Sequence, residues 1–503
     1  MIYILKDLTK WIIKLILIII IAAVLGVYSC VGFDYKERLS KKKKPNFLFI
    51  VIDDLGWKDI TCYGSTFYET PNIDKLALEG MLFTAAYAAS PVCSPTRAAL
   101  LSGKNPARLH LTNWIRGEQK GKLLPADFMN QLPLEEFTIA EALKIEGYTN
   151  CFIGKWHLTN ENDSLELYYP EYQGFDINIG GCYFGHPWYG YFDPYKIPHL
   201  SSRKEGEYLP DRLTNEALGF LEKNRNKPFL LYLSYYAVHT PIQAKEEMIE
   251  KYREKANLNP PARDIEFISE RSAYTKLIQD DPAYAAMIKS VDDNIGHLIK
   301  KLDELGITEN TIVIFTSDNG GLNTLQGRKD APTANLPLRA GKGWLYEGGI
   351  RIPLIIKWSG EIIQGSVCSV PVVSMDLYPT LLEMAGLKLN PEQHKDGFSL
   401  IPLLKGEGEL KRNAIFWHYP HYHGSGNRPS GAVRYGDYKL IEWYEDGSIE
   451  FYNLKEDIGE KIDLADKEQE KSNKLKKIFH DWLKEIDAWM PKPNPDYIPP
   501  EGE

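Results

Sequence analysis

Cys93 and Arg97, four residues apart, form the segment of this sequence with the clearest chemical potential. Residues 97 to 103 (RAALLSG) predict a short helix that ends at Gly103. Cys93 therefore lies near a helix N-terminus, where free N–H groups favour a developing negative charge, and Arg97 follows one turn later. The pair alone could also be a buried thiol and a surface cation, so its interpretation depends on the rest of the chain.

Two groups of oxygen-bearing side chains each follow a continuous apolar run. Asp53 and Asp54 come directly after residues 47–52, and Asp318 and Asn319 follow residues 311–316 closely. Continuous apolar runs are typical of buried parallel strands, whose carboxyl ends meet at one edge of a sheet. Each carboxylate alone could be a helix cap or a turn former. Together they predict a site of hard oxygen ligands, which favours calcium and disfavours zinc.

Lys155 and His157 stand two apart on a short stretch that we predict to be extended. In that conformation their side chains share one face, so they could present a cation and a base to a common site. The alternative is structural, with Trp156 packed inward and its two neighbours solvated.

Two further segments could contact a ligand. The loop at residues 178–195 contains His186 and Trp188 among glycines and tyrosines, which suits the lining of a sugar cleft or a structural loop equally. Histidines at 418, 421 and 423 precede Arg434. Their spacing could indicate a metal site, but no carboxylate lies nearby. Contact of His421 and Arg434 with substrate at a domain interface is the preferred interpretation.

The elements that must position these residues alternate between strand and helix. An apolar run at residues 229–234, which leads to His239, resembles those at 47–52 and 311–316. Helical patterns lie between the runs, at residues 73–79, 138–146, 211–223 and 284–305. This alternation predicts an α/β fold with a large mixed, mostly parallel sheet flanked by helices.

The pattern changes near residues 385–412. Four short strand-like segments follow, at residues 414–418, 431–435, 438–443 and 450–453, with the spacing of an antiparallel meander. Apolar residues then recur on one face of a helix between 475 and 486. We therefore predict a catalytic domain at 45–390, a smaller C-terminal α+β subdomain with an antiparallel sheet and a helix at 391–490, and an extended tail at 491–503.

The N-terminal residues indicate export. Lysines precede an apolar run at residues 15–27, as in a signal peptide, and the run ends in VYSC, which resembles a lipoprotein cleavage box. We predict a signal peptide at 1–29 with lipid on Cys30, followed by a linker at 30–44; a plain signal peptide or an uncleaved anchor are the alternatives. Each places the folded part in the periplasm or at the cell surface, and the lipoprotein prediction also holds it to the membrane through its N-terminal anchor.

Composition narrows the choice of partners and of cysteine chemistry. The net charge of −9 gives no reason to expect nucleic acid as a partner. The six cysteines show no CxxC pair and no zinc spacing. The four besides Cys30 and Cys93 could pair in an oxidising compartment, but they do not form a dense disulfide framework.

The sequence resembles the type I, formylglycine-dependent sulfatases of the alkaline phosphatase superfamily, in which the cysteine of a Cys-x-Pro-x-Arg motif is oxidised to formylglycine. Beyond residues 93–97, further segments follow in the family's order: residues 53–54, 100–106, 154–157, 239–241, 317–320 and 341–349. The resemblance covers roughly residues 45 to 385, and the C-terminal part more loosely.

The resemblance also implies a mechanism. Formylglycine made from Cys93 hydrates, and one hydroxyl, activated by a calcium ion and Arg97, attacks sulfur. His239, with Lys342 nearby, protonates the leaving alcohol, and His157 removes a proton from the second hydroxyl so that sulfate leaves. Lys155 supplies a cation to the nucleophile's oxygen.

The implied calcium ligands are Asp53, Asp54, Asp318, Asn319 and an oxygen derived from Cys93. The implied partners are a sulfated carbohydrate substrate and a maturase enzyme that generates formylglycine. Two alternatives stay open: a formylglycine-dependent phosphodiesterase or phosphonate monoester hydrolase, and an inactive membrane-tethered glycan-binding protein.

Overall fold

A computed structural model describes residues 43–163, 166–258, 260 and 265–499, together with residues 8, 11, 14–17 and 19–21. The N-terminal residues among these are helical. Residues 1–44 and 45–503 form two separate units. Within the described part of the chain, no helix has the length and apolar character needed to cross a membrane. Cys30 and most of the predicted signal peptide and linker lie outside the described residues.

The second unit contains eighteen strands among its described residues. The strands are β1 (Asn46–Ile52), β2 (Met81–Tyr87), β3 (Leu123–Leu124), β4 (Thr149–Gly154), β5 (Ile177–Ile179), β6 (Phe229–Ser234), β7 (Phe267–Glu270), β8 (Ala273–Lys276), β9 (Thr311–Ser317), β10 (Thr324–Gln326), β11 (Arg351–Lys357), β12 (Ser366–Cys368), β13 (Val372–Val373), β14 (Ala414–Tyr419), β15 (Ser430–Tyr435), β16 (Tyr438–Trp443), β17 (Ile449–Asn453) and β18 (Lys492–Pro493).

Its helices include a long one that packs on the main sheet, and several single turns. The helices are α1 (Pro71–Glu79), α2 (Cys93–Ser102), α3 (Ile139–Ile145), α4 (Leu209–Asn224), α5 (Glu246–Leu258), α6 (Pro282–Glu304), α7 (Glu347–Ile350), α8 (Leu377–Met384), α9 (Ile401–Leu404) and α10 (Gln469–Glu485). The start of α6 shows how the sequence sets a boundary. Asp281 accepts hydrogen bonds from the N–H groups of Ala283 and Tyr284, and Pro282 needs no donor partner at the first helical position.

The main sheet has the strand order β12-β2-β11-β9-β1-β6-β4-β5, with β13 also paired to β2. The central strands β9, β1, β6 and β4 are parallel, and β11 runs antiparallel between β9 and β2. Residues of β1 face two apolar cores, one on each side of the sheet, which explains its continuous apolar sequence. The prediction of a mostly parallel sheet between helices is confirmed.

The C-terminal sheet has the antiparallel order β14-β15-β16-β17 and is covered by α10. Phe479 of α10 packs with Val433, Leu440 and Phe451 of the sheet, so the predicted meander and helix are confirmed. The sequence pattern did not reveal the small sheet β10-β8-β7 or the pairing of β18 with β3. The predicted domain boundary at residue 390 stays a prediction, because residues 45–503 form one compact unit.

A buried cluster of charges joins the C-terminal sheet to the main sheet. Lys439 of β16 is fully buried and lies 3.0 Å from Glu347 and 2.9 Å from Glu460. Burial opposes ionisation of Glu347, but Lys439 and nearby arginines outweigh it and lower the pKa of Glu347 to about 2. Such a cluster tolerates little change, since removing one partner leaves an uncompensated charge in the interior. The five cysteines in the described part are all unpaired.

Candidate active site

Four neighbouring strands deliver the polar residues of the site from one edge of the sheet. Asp53 follows β1, Asp318 follows β9, Lys155 follows β4, and the segment after β6 leads to His239. Because these strands are parallel and adjacent, their carboxyl ends converge, as in other open α/β sheets. The structure thus brings together residues that lie up to 265 positions apart.

The carboxylates and the amide form a buried cluster. Asp53, Asp54, Asp318 and Asn319 are each at most 1 % exposed. The N–H of Asp54 donates to Asp318 Oδ1 at 3.2 Å, and Asn319 Nδ2 donates to Asp54 Oδ1 at 2.8 Å. Asp54 has a φ of 59°, a left-handed conformation that non-glycine residues adopt rarely and that is often found at functional sites.

Arg97 occupies the centre of the cluster. Its Nε and Nη2 donate to Asp318 Oδ2 at 2.9 and 2.6 Å, and Nη2 lies 3.8 Å from Asp53 Oδ1. Nη1 donates to the carbonyl of Lys155 at 2.8 Å and to Ser234 Oγ. Burial disfavours the charged guanidinium, yet the two carboxylates raise its pKa. Arg97 therefore stays charged and fixes the geometry of three strand ends.

Two lysines neutralise the remaining carboxylates. Lys155 Nζ lies 2.6 Å from Asp53 Oδ2, and Lys342 Nζ lies within 2.8 Å of both carboxylate oxygens of Asp54. Burial raises the pKa of Asp53 even against Lys155. For Asp54 burial also opposes ionisation, but Lys342 and His239 outweigh it and hold its pKa below the usual range.

Cys93 begins helix α2, four residues before the predicted start of the helix, and is 3 % exposed. Its Sγ lies 3.2 Å from His157 Nδ1. Burial raises the pKa of the thiol despite the nearby Lys155 and Lys342. Burial also lowers the pKa of His157, with Lys155 and Arg97 acting in the same direction. The neutral imidazole can accept a proton from a group at position 93.

Two buried oxygens of the cluster suit a bound cation. Asp53 Oδ1 and Asn319 Oδ1 have no hydrogen-bond partner among the described residues. Leaving buried polar atoms unpaired is costly, and a metal ion would satisfy both. Asp53, Asp54 and His239 also have ligand atoms within 4.8 Å of one another. The donor set is dominated by hard oxygens, so the residues fit a hard cation.

A cavity of about 650 Å³ leads from the surface to Cys93. Among the predicted residues it is lined by Cys93, His157, His186, Trp188, His239 and Lys342. The rings of His186 and His239 stack at 5.7 Å, and Trp188, 39 % exposed, stacks on Phe184 at 4.2 Å. The loop at 178–195 therefore forms one wall of the cavity.

The two C-terminal residues predicted to contact substrate do not line the cavity. His421 is buried and its Nε2 hydrogen-bonds with Thr112 Oγ1 at 2.8 Å. The guanidinium of Arg434 contacts the Tyr87 hydroxyl and donates to the carbonyl of Gly436 at 3.0 Å. The structure therefore gives no support to a contact of His421 or Arg434 with substrate, because each side chain is bound to other residues of the fold.

Other residues that the sequence reasoning did not nominate do line the cavity. Trp114, Arg116 and His423 are among them, and Arg116 lies 5.6 Å from the centre of the Trp188 ring. His423 packs against Gly343, where any Cβ would come within 2.3 Å of its Nδ1. Burial beside Lys342 lowers the pKa of His423 to about 3, so its ring is neutral. In the sequence, the only signal for His423 as a site residue was its place in the run of three histidines at 418, 421 and 423.

Comparisons with known proteins agree with this geometry. The family model described as Sulfatase matches residues 45–387, and the model described as N-sulphoglucosamine sulphohydrolase, C-terminal, matches residues 340–488. A sulfatase of Formosa agariphila is 32 % identical over 85 % of this chain and 86 % of that protein. The N-acetylgalactosamine-6-sulfatase of Mus musculus is 33 % identical over 87 % of this chain and 80 % of its own length.

A solved structure extends the likeness to three dimensions. The crystal structure of Ps i-CgsB in complex with k-i-k-neocarrahexaose has a TM-score of 0.71 at 28 % identity, and the match covers 89 % of this chain and 95 % of that one. Sequence and structure therefore agree, and the chain belongs to the sulfatase family.

Proposed function

We propose that this sulfuric ester hydrolase removes sulfate from carbohydrates, with a formylglycine derived from Cys93 and a bound calcium ion. The observation that carries the proposal is the cavity that ends at Cys93, which is lined by Lys342 and by aromatic side chains, while Arg97 and Lys155 are buried in the adjoining carboxylate cluster. Lys342 suits the charge of a sulfate group, and Trp114 and Trp188 suit the faces of sugar rings. Relatives that act on N-acetylgalactosamine sulfate and bind a carrageenan hexasaccharide support the carbohydrate assignment.

The proposed nucleophile is the oxidised side chain at position 93. Once formed, formylglycine would supply a hydrated aldehyde, which a thiol or a serine cannot replace. The residues around it have separate tasks. His157 is within 3.2 Å of the Cys93 sulfur and is placed to accept a proton there. Lys155 and Arg97 both interact electrostatically with the side chain at position 93, and their positive charge would stabilise an oxyanion there without forming a covalent bond.

Calcium would be held by Asp53, Asp54, Asp318 and Asn319, together with an oxygen from position 93. The unpaired Asp53 Oδ1 and Asn319 Oδ1 support this assignment. A bound calcium would act as a Lewis acid that polarises oxygen and neutralises charge on the transferring group. Arg97 would keep Asp318 oriented towards the ion through its two hydrogen bonds.

The leaving alcohol needs a proton when it is a sugar hydroxyl. His239 lines the cavity, and its Nε2 lies 3.6 Å from Asp54 Oδ2. Its Nδ1 is 2.9 Å from the carbonyl of Thr240, which fixes the ring. Burial and Lys342 lower the pKa of His239 while Asp54 raises it. A bound sulfate ester adds negative charge, which favours the protonated imidazole, and Lys342 beside it is a second cation for the leaving oxygen.

The proposal can be tested with a panel of esters and protein in which conversion of Cys93 has been verified. We expect sulfate release from N-acetylgalactosamine 6-sulfate or a carrageenan oligosaccharide with a kcat/KM well above that for a steroid sulfate. A phenyl phosphate and a phosphonate monoester in the same panel measure the competing chemistry. A higher kcat/KM for the phosphorus esters than for every sulfate ester would contradict the proposal.

For the metal, we expect a strong chelator to remove activity and added calcium to restore it. Asp318→Asn keeps the shape of the side chain but removes one ligand charge and weakens the hold on Arg97. We expect it to lower kcat/KM by roughly 100-fold or more, since changes even in the residues behind the ligands cost about 10–100-fold. Calorimetric titration of the chelated protein should show weaker calcium binding in the variant.

The matched control for the metal prediction is Asp481→Asn. Asp481 lies on the exposed face of α10, where it pairs with Lys477 at 2.6 Å. It should change neither calcium affinity nor turnover. Unchanged turnover in metal-free buffer would overturn the assignment of the four oxygen ligands.

The proposal also covers the location and the maturation of the protein in the cell. We propose export to the periplasm or the cell surface, anchoring through a lipid on Cys30, and conversion of Cys93 by a maturase enzyme. These steps rest on the sequence of the first 44 residues and on the motif at residues 93–97. Mass spectrometry of protein purified from membranes would detect the lipid on the N-terminal peptide.

A further inference from the structure

A second cavity adjoins the one that ends at Cys93. It has a volume of about 450 Å³, against about 650 Å³ for the first, and four residues line both: Trp114, Thr240, Leu322 and His423. We refer to the two as the inner and the outer compartment. Each lies within the range of about 300–1,000 Å³ that is typical of small-molecule sites, so the pair has room for more than one sugar residue.

The outer compartment has a different chemistry from the inner one. Residues that line only the outer compartment include Gln119, Arg328 and Asp330, which are exposed polar side chains, and Ile242 and Leu325, which are apolar. Arg328 donates to Asp330 at 3.0 Å through Nε. Cationic residues of the sulfate site are absent from this lining. It therefore suits a neutral face and hydroxyl groups of a sugar better than a second catalytic centre.

His423 stands where the compartments meet, and its hydrogen bonds fix which ring nitrogen carries the proton. The backbone N–H of Ser425 donates to Nδ1 at 3.1 Å. A backbone N–H can only donate, so Nδ1 is the acceptor and the neutral ring carries its proton on Nε2. Among the described residues, Nε2 has no hydrogen-bond partner. The fold thus presents one fixed N–H donor at the junction.

We propose that the outer compartment binds the sugar residue next to the sulfated one, and that His423 Nε2–H donates a hydrogen bond to an oxygen at the linkage between them. The inference rests on the proposed carbohydrate sulfatase function and names its substrate class as oligosaccharides. His423 is a specificity-determining residue in this role. A site built to donate a hydrogen bond discriminates strongly against ligands that lack the matching acceptor, because the donor is then left unpaired.

The test compares a monosaccharide with a disaccharide that carries the same sulfated residue. The pair is N-acetylgalactosamine 6-sulfate alone and N-acetylgalactosamine 6-sulfate joined to galactose, a neutral sugar. Binding is measured by calorimetry in a Cys93→Ala background, which needs no turnover and no conversion of the cysteine. We expect the disaccharide to bind at least about 10-fold more tightly, the change in Kd that corresponds to one good hydrogen bond to a neutral group.

Variants locate the source of this preference. His423→Phe should reduce the preference for the disaccharide, the ratio of the two Kd values, to about twofold. His423→Gln keeps an N–H donor and should recover part of this preference. Arg328→Ala should also reduce it, whereas Arg253→Ala, a matched exposed arginine in an ion pair on α5, should not. Far-ultraviolet circular dichroism and the melting temperature of each variant confirm that it is folded.

Two outcomes separate failure of this inference from failure of the proposed function. Equal affinity for the two sugars, or equal weakening of both by His423→Phe, would overturn the inference while leaving carbohydrate sulfatase activity in place. Absence of binding to either sugar, together with no sulfate release from any carbohydrate in the panel by converted protein, would overturn both.

Discussion

Cys93→Ala is expected to abolish sulfate release, with a fall in kcat of about 10⁴–10⁶-fold, as is typical when a nucleophile is removed. The fold should survive, because Cys93 begins helix α2 and its sulfur contacts only His157 among the hydrogen-bonding groups of the site. Cys93→Ser should also be severely impaired, since a serine hydroxyl cannot supply the hydrated aldehyde. Release of free sulfate from a sugar sulfate is the measurement.

Mass spectrometry gives the matching result for the wild-type protein. The peptide that contains Cys93 should be lighter by roughly 18 Da in active material, the difference between a thiol methylene and an aldehyde. Cys151→Ala is the control for the activity loss in Cys93→Ala. Cys151 is a buried thiol within strand β4 and lies outside the cavity lining, so its replacement should leave sulfate release in place. Full activity with an unmodified thiol at position 93 would contradict the mechanism.

The strand ends that build the site could be predicted from sequence because parallel central strands leave a strong local signal. Residues 47–52 are apolar throughout, and residues 229–234 and 311–316 are apolar except at Ser234, Thr311 and Thr316, as expected for strands covered on both faces. Polar residues that directly follow such strands, such as Asp53 and Asp318, must lie at the edge of the sheet where the strands end. The resemblance of residues 93–97 to a known motif supplied the rest of the inner site.

The order of the strands could not be predicted in the same way. Nothing in the local pattern of β4 indicates that it pairs with β6, whose first residue lies 80 positions later in the chain. The antiparallel direction of β11 between β9 and β2 could not be predicted either, because a fully buried strand has the same apolar pattern in either direction.

The choice between His421 and His423 shows where sequence reasoning failed at the site. Both follow β14, which ends at Tyr419, so strand alternation no longer decides which side chain faces which way. In the structure His421 turns to Thr112, and His423 packs on Gly343 at the cavity wall. The contacts that decide this come from residues 309 and 80 positions away, which a local pattern does not contain.

The second large effect concerns the two histidines of the inner site, which we assign to opposite halves of the reaction. We expect His239→Ala to lower kcat/KM for a sugar sulfate by about 10²–10⁴-fold, the range typical of general acid catalysis, and to affect an activated aryl sulfate far less. The reason is that a nitrophenolate leaves without protonation, whereas a sugar alkoxide does not. The position of His239 on the cavity wall, 3.6 Å from Asp54 and without a contact to Cys93, supports this role.

His157→Ala should respond differently, because His157 contacts position 93 and, in the proposed mechanism, acts after the alcohol has left. We expect a similar loss in kcat for sugar and aryl sulfates, and a burst of about one equivalent of nitrophenol before a slow steady state. Rapid-mixing measurements with 4-nitrophenyl sulfate would record the burst directly. If both variants lost activity equally on every ester and neither showed a burst, the two histidines would be sulfate ligands, and the division of roles would be wrong while the enzyme class stood.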